Sequence, residues 1–173
     1  PIPPRRLRDV LLTRVNVALV ASMGIYTLVS SFYLQSQIEQ FQLLFGDVVA
    51  RRISTIFNLA FPIGGFCASF PVSQLLQHTG EHLYWTVAFV FFNVFSALCM
   101  MPFRWAQVSA ALLFGPMRCL QWASYFQFLA NEERYPAELT GRVLGSNNVA
   151  VAVVGDGVPY LLAYLASSSW GTS

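Results

Sequence analysis

Charge is what this sequence has least of: only 10% of its 173 residues are Asp, Glu, Lys or Arg, against about 25% in a water-soluble domain. So few charged side chains cannot coat a globule in water. Lysine is missing altogether; all ten basic residues are arginine, which reads as codon composition rather than function. The formal charge of +2 comes from scattered arginines, so no basic stripe offers itself to nucleic acid. The three cysteines, Cys67, Cys99 and Cys119, stand singly in apolar segments, which excludes paired zinc spacing and a secreted disulfide framework. No nucleophile, metal or phosphate motif appears, so neither an enzyme nor a cofactor is expected.

What the sequence has in abundance is apolar residue, 55% of the chain. The expected class is an all-α integral membrane protein, with the lipid bilayer as its solvent. The first apolar run is too long for the core of a secretory signal and lacks a small-residue cleavage site. It reads as a span. The chain opens without methionine, which suggests a fragment of a longer protein.

Five spans are expected, each near the roughly 20 residues a bilayer core demands: 11–33, 53–76, 84–101, 108–129 and 143–166. Residues 1–10 form a basic lead-in, 11–166 the membrane bundle and 167–173 a short tail. An odd number of spans is unusual for a self-contained bundle, so a sixth helix is expected beyond this chain. Arg5, Arg6, Arg8, Arg14, Arg134 and Arg142 fall on one side, against Arg51, Arg52 and Arg104 on the other. The positive-inside rule therefore puts the basic lead-in on the cytosolic side.

Between the first two spans, 35–50 reads as a wet connection, with Ile38, Phe41, Leu44 and Phe45 spaced for a short interfacial helix. In the first span Ser22, Tyr26 and Ser30 share a face suited to gluing helices together. The second span carries Pro62 beside Gly64 and Gly65, and a bend is expected there. Asn58 precedes it and reads as an interhelical bonding residue. His78 and His82 are four apart, but Gly80 between them argues for a turn rather than a helical metal pair.

The chemistry concentrates in the last two spans. Arg118, Gln121 and Tyr125 follow i, i+3, i+7, stacking a guanidinium, an amide and a phenol on one helical face. Asn148 and Asp156 lie close to two turns apart in the fifth span, with Gly155 and Gly157 flanking the carboxylate. Ionisable groups at such depth face a bundle interior or a wet cavity. Two readings stay open. Arg118 and Asp156 either neutralise each other between helices and fix their register, or line a midplane cavity where Arg118 offers a fork to a substrate carboxylate.

The loop joining these spans is the most specific local signal. In Glu132-Glu133-Arg134-Tyr135-Pro136-Ala137-Glu138-Leu139-Thr140-Gly141-Arg142-Val143-Leu144-Gly145, Pro136 ends one element, and Glu138 and Arg142 are spaced to pair at i, i+4. Gly141 and Gly145 would admit close helix packing. This segment resembles the one that follows the tenth helix of the major facilitator superfamily. With Arg118 and the FPIGG sequence, it is similar to the large-neutral-amino-acid facilitator branch and its protist and fungal relatives. The resemblance covers nearly the whole chain as that superfamily's C-terminal half. One departure stands out. Where the family's gating turn carries an acidic and several basic residues, this chain has Gln77, His78, Glu81 and His82, and only Gly80 matches.

The resemblance implies transmembrane transport of a small organic solute, such as a neutral amino acid, through alternating access. Arg118, Gln121, Tyr125, Asn148 and Asp156 would line the solute site, with Pro136, Glu138, Gly141, Arg142 and Gly145 as the cytosolic gating loop. The partners implied are an N-terminal transporter half or other membrane subunits. The competing expectation is a transporter-like structural subunit of a larger membrane assembly, without transport.

Overall fold

The computed structural model describes residues 6–132 and 134–161. Every element among them is helical. In chain order these are α1 (Leu7–Leu11), α2 (Arg14–Phe45), α3 (Asp47–His78), α4 (Glu81–Met100), α5 (Arg104–Leu129) and α6 (Ala137–Ala152), followed by a π-helical turn, Val153–Gly157. α2, α3 and α4 are long and apolar enough to cross a membrane. Their exposed residues agree: Leu43, Phe66 and Phe70 are 88%, 80% and 72% accessible. Such surfaces suit acyl chains and would be costly against water.

α2 and α3 each run for 32 residues, or about 48 Å, against a hydrocarbon core of about 30 Å. The connection expected over 35–50 is therefore corrected. It is the end of α2 and the start of α3, because no proline or glycine falls between Gln35 and Gly46. That glycine takes a positive φ of 76°, and its N–H bonds the Gln42 carbonyl at 2.9 Å. This is the left-handed stop that residues with a Cβ resist. Asp47 then opens α3, where a carboxylate favours the positive end of the helix dipole.

α3 stays helical through Pro62 and Pro71. It ends at His78, where the Thr79 hydroxyl and N–H both bond the Leu75 carbonyl. α4 begins at Glu81 after Gly80, so His78 and His82 belong to different helices. His78 bonds Gln74 at 3.0 Å.

The chain divides into two compact units. One comprises the residues up to Gln35 with those from Leu129 onward, and the other runs from Ser36 to Phe128. In the first unit α1 packs on α6, and α2 buries Asn16, Leu19, Met23, Tyr26, Ser30 and Tyr33. These alternate in steps of three and four, the 3.5-residue period of left-handed helix packing. Half of that stripe or more is polar, so the helix turns hydrogen-bonding groups inward and apolar ones outward. Tyr26 and Ser30 sit on it as expected. Ser22 does not; it is exposed and bonds its own Ala18 carbonyl at 2.8 Å.

In the second unit Phe114 is the aromatic hub, with ring centroids 5.5 Å from Phe57, 5.3 Å from Phe61 and 5.6 Å from Phe95. Beside it α3 and α5 meet backbone to backbone. A Cβ on Gly115 would lie 2.5 Å from the Phe61 carbonyl oxygen and 2.9 Å from the Gly65 nitrogen, and one on Gly64 would lie 2.9 Å from Pro116. The FPIGG sequence thus supplies a crossing point. Gln107, fully buried, caps the end of α4 by donating to the Cys99 and Met101 carbonyls at 3.1 and 2.8 Å, which have no partner within the helix.

Candidate functional site

Asp156 lies in the π-helical turn Val153–Gly157. There the i→i+5 pattern widens the helix, a distortion frequent at functional sites. Ahead of it the Pro136 cap and Glu138 in the first turn start α6. Val143, Asn147 and Val151 form its buried face, and Gly155 is buried one residue before the carboxylate.

Asp156 is half-buried, and its Oδ1 accepts a hydrogen bond from the Ser31 hydroxyl of α2 at 2.6 Å. That separation is typical of a hydroxyl donating to a carboxylate. Gly155 brings the backbones together. A Cβ there would meet Thr27 Cγ2 at 2.5 Å and Thr27 Cβ at 2.6 Å. Thr27 and Ser31 are one turn apart on α2, so the turn carrying Asp156 rests on a face bearing two hydroxyls. The Thr27 hydroxyl is buried and has no hydrogen-bond partner among the described residues.

A second polar cluster in the same unit lies nearer the arginine-rich ends. Asn16 and Asn147, each 2% exposed, bond reciprocally: Asn16 Nδ2 donates to Asn147 Oδ1 at 3.1 Å, and Asn147 Nδ2 to Asn16 Oδ1 at 2.8 Å. The Tyr135 hydroxyl also donates to Asn16 Oδ1, at 3.2 Å. Asn16 Nδ2 reaches the Leu11 carbonyl as well, at 3.1 Å. Burial pushes the Tyr135 hydroxyl above the ordinary tyrosine range, while Arg134 beside it pulls it partway back.

The expected site residues are distributed as follows. Gln121 and Tyr125 are buried on α5, at 6% and 0% exposure, and Arg118 on the same helix is half-buried. The Tyr125 ring meets Trp122 edge-on at 5.8 Å. These three belong to the second unit, whereas Asp156 and Asn148 belong to the first. Asn148 is half-buried; the fully buried amide is its neighbour Asn147.

In the loop, Pro136 caps α6, and Glu138, Gly141, Arg142 and Gly145 are all exposed. Close packing at Gly141 and Gly145 is corrected, because among the described residues no atom outside their own helical turn lies within 4 Å of a Cβ placed on either. The glycines used for close approach in this unit are Gly155 against Thr27 and Gly24 against Val154. Glu138 and Arg142 make no hydrogen bond or ion pair with each other; both side chains are exposed. Glu133 and residues 162–166 of the expected fifth span lie outside the described residues.

The sequence reasoning passed over Asn16, Asn147, Tyr135, Thr27 and Ser31. Asn147 carried a signal, since it continues the Val143 and Val151 spacing that Asn148 breaks. Asn16 was the one side-chain amide in the first span. No family model, no curated protein sequence and no solved structure matches the chain.

Proposed function

We propose that this chain is one half of a secondary transporter that moves a small organic solute by alternating access. The observation that carries the reading is Asp156, an ionisable group set in a π-helical turn of an apolar helix and bonded to the Ser31 hydroxyl. Ionisable groups at membrane depth mark substrate and ion pathways, and interrupted helices are where transporters place their sites. The buried amide and phenol of Gln121 and Tyr125 beside half-buried Arg118 supply a second polar face. In this reading α5, and α6 with its continuation, join α2, α3 and α4 as spans, giving the five that a C-terminal half of the major facilitator superfamily would present before its sixth.

Arg118 would bind the solute carboxylate through its planar fork. A neutral amino acid is the solute that the resemblance to the large-neutral-amino-acid branch suggests. An N-terminal half or a second copy completes the pathway. The test is uptake into proteoliposomes containing the completed pair. Arg118→Ala should abolish entry of carboxylate-bearing solutes while the protein still inserts, and unchanged uptake would remove Arg118 from the site.

A structural subunit without transport is the second reading. The turn after α3 favours it: His78 is engaged with Gln74 rather than in a charge relay. If Arg118 only supports the packing of its own unit, Arg118→Ala should lower stability in thermal unfolding, and no solute should enter with or without the substitution.

A further inference from the structure

Serines and threonines inside these helices ordinarily settle their hydroxyl on the carbonyl one turn back. Thr55 bonds Arg51, Thr86 bonds His82 and Ser96 bonds Phe92 in this way, at 2.9, 2.6 and 2.9 Å. Thr27 and Ser31 depart from that habit, as do the buried hydroxyls of Ser30 and Ser124, but only Thr27 and Ser31 stand beside a carboxylate. Ser31 donates its hydrogen bond to Asp156 Oδ1, and the Thr27 hydroxyl is buried with no partner among the described residues. Both residues lie on the face of α2 against which Gly155 presses.

We infer that the Asp156 carboxylate, the Ser31 and Thr27 hydroxyls and the backbone of the π-helical turn form a binding site for a sodium ion. This deepens the transport reading, on which its role as a coupling ion rests. The donor set is all oxygen, which selects a hard cation. One carboxylate balances one positive charge. A divalent ion would leave an excess charge in apolar surroundings, where uncompensated charge is expensive. A proton on Asp156 would leave the Thr27 hydroxyl as it stands, whereas a cation seated beside Asp156 gives that oxygen a partner as well. The glycine contact holds the two backbones close, so an ion seated there would have to be small and stripped of most of its water.

The experiment is equilibrium binding of radioactive sodium to the purified full chain in lipid nanodiscs, with choline chloride holding ionic strength constant. The expected result is saturable binding near one ion per chain that potassium displaces poorly. Asp156→Asn should weaken it by at least about tenfold, and Ser31→Ala and Thr27→Val by about three- to tenfold each, the loss of one ligand apiece. Thr27→Val keeps the shape that Gly155 rests on, so it reports on the oxygen even if the Asp156 variant folds poorly. Ser22→Ala, on an exposed hydroxyl already bonded within its helix, should change nothing. Absence of saturable sodium binding, equal binding of potassium, or unchanged affinity in Thr27→Val would each overturn the site. Solute uptake that persists without sodium binding would leave the transport proposal standing and this inference fallen. Sodium binding without uptake would keep the site and remove the transport proposal.

Discussion

Asn16 and Asn147 face each other from α2 and α6 and exchange two hydrogen bonds, each amide donating to the other's oxygen at 3.1 and 2.8 Å. Neither has room to reorganise, because each is 2% exposed. Removing one side chain strands the other without its partner. Asn16→Ala and Asn147→Ala should each cost about 1–3 kcal/mol, and the double variant should cost clearly less than their sum. Thermal unfolding in detergent checks this, and strict additivity would mean the pair is not coupled.

Gly155 and Gly145 should respond in opposite directions to alanine. At Gly155 the new methyl would run into Thr27 Cγ2 and Cβ, so α2 and the π-helical turn must separate, at about 1–3 kcal/mol. At Gly145 nothing lies within 4 Å, and alanine should stabilise α6 by about 0.5–1 kcal/mol through helix propensity alone. Melting temperatures of the two variants, measured side by side, decide the matter.

Gly115→Ala should be the more damaging glycine substitution of the second unit. Its methyl would meet the Phe61 carbonyl oxygen and the Gly65 nitrogen, both backbone atoms that cannot rotate aside. Large loss of folded yield is expected. Recovery of wild-type yield and stability would show that the α3–α5 crossing is looser than its geometry.

The Tyr135 hydroxyl gives a pH signature. Burial raises it above its ordinary value of 10.0, with Arg134 opposing. The unfolded chain therefore releases this proton first as pH rises. The contribution to stability is complete below pH 10 and is lost as pH climbs through the higher folded value. Tyr135→Phe should lower stability near neutral pH by about 0.5–1.5 kcal/mol, the hydrogen bond to Asn16, and should flatten the decline above pH 10. A decline of the same depth in both proteins would place its origin elsewhere.

Apolar runs made the helices legible in the sequence, because a bilayer leaves few alternatives to a helix. Their ends were not. Residues 35–45 are amphipathic and lack a breaker, so α2 continues past the membrane boundary that hydropathy marks. Polar positions were legible by type and less so by face. Asn147 and Asn148 are adjacent and about 100° apart on a helix, and only tertiary packing chose between them. The π-helical turn also defeats counting: Asn148 and Asp156 share a face only if every turn holds 3.6 residues, and this one holds more. Gly141 and Gly145 have the spacing of a packing seam without a helix against them, while Gly155 does that work. Arg118, Gln121 and Tyr125 were readable because α5 is regular there, and their burial follows their spacing.

The reversal at Gly46 has a practical reach. Two helices of about 48 Å enter and leave it, against a hydrocarbon layer of about 30 Å, so their length leaves enough helix for the tip between Phe45 and Asp47 to stand outside the lipid. A short epitope spliced there, probed with antibody on intact vesicles, would test the expectation that this tip lies opposite the basic lead-in. Its accessibility from outside or inside would fix the sidedness of every other segment from a single site.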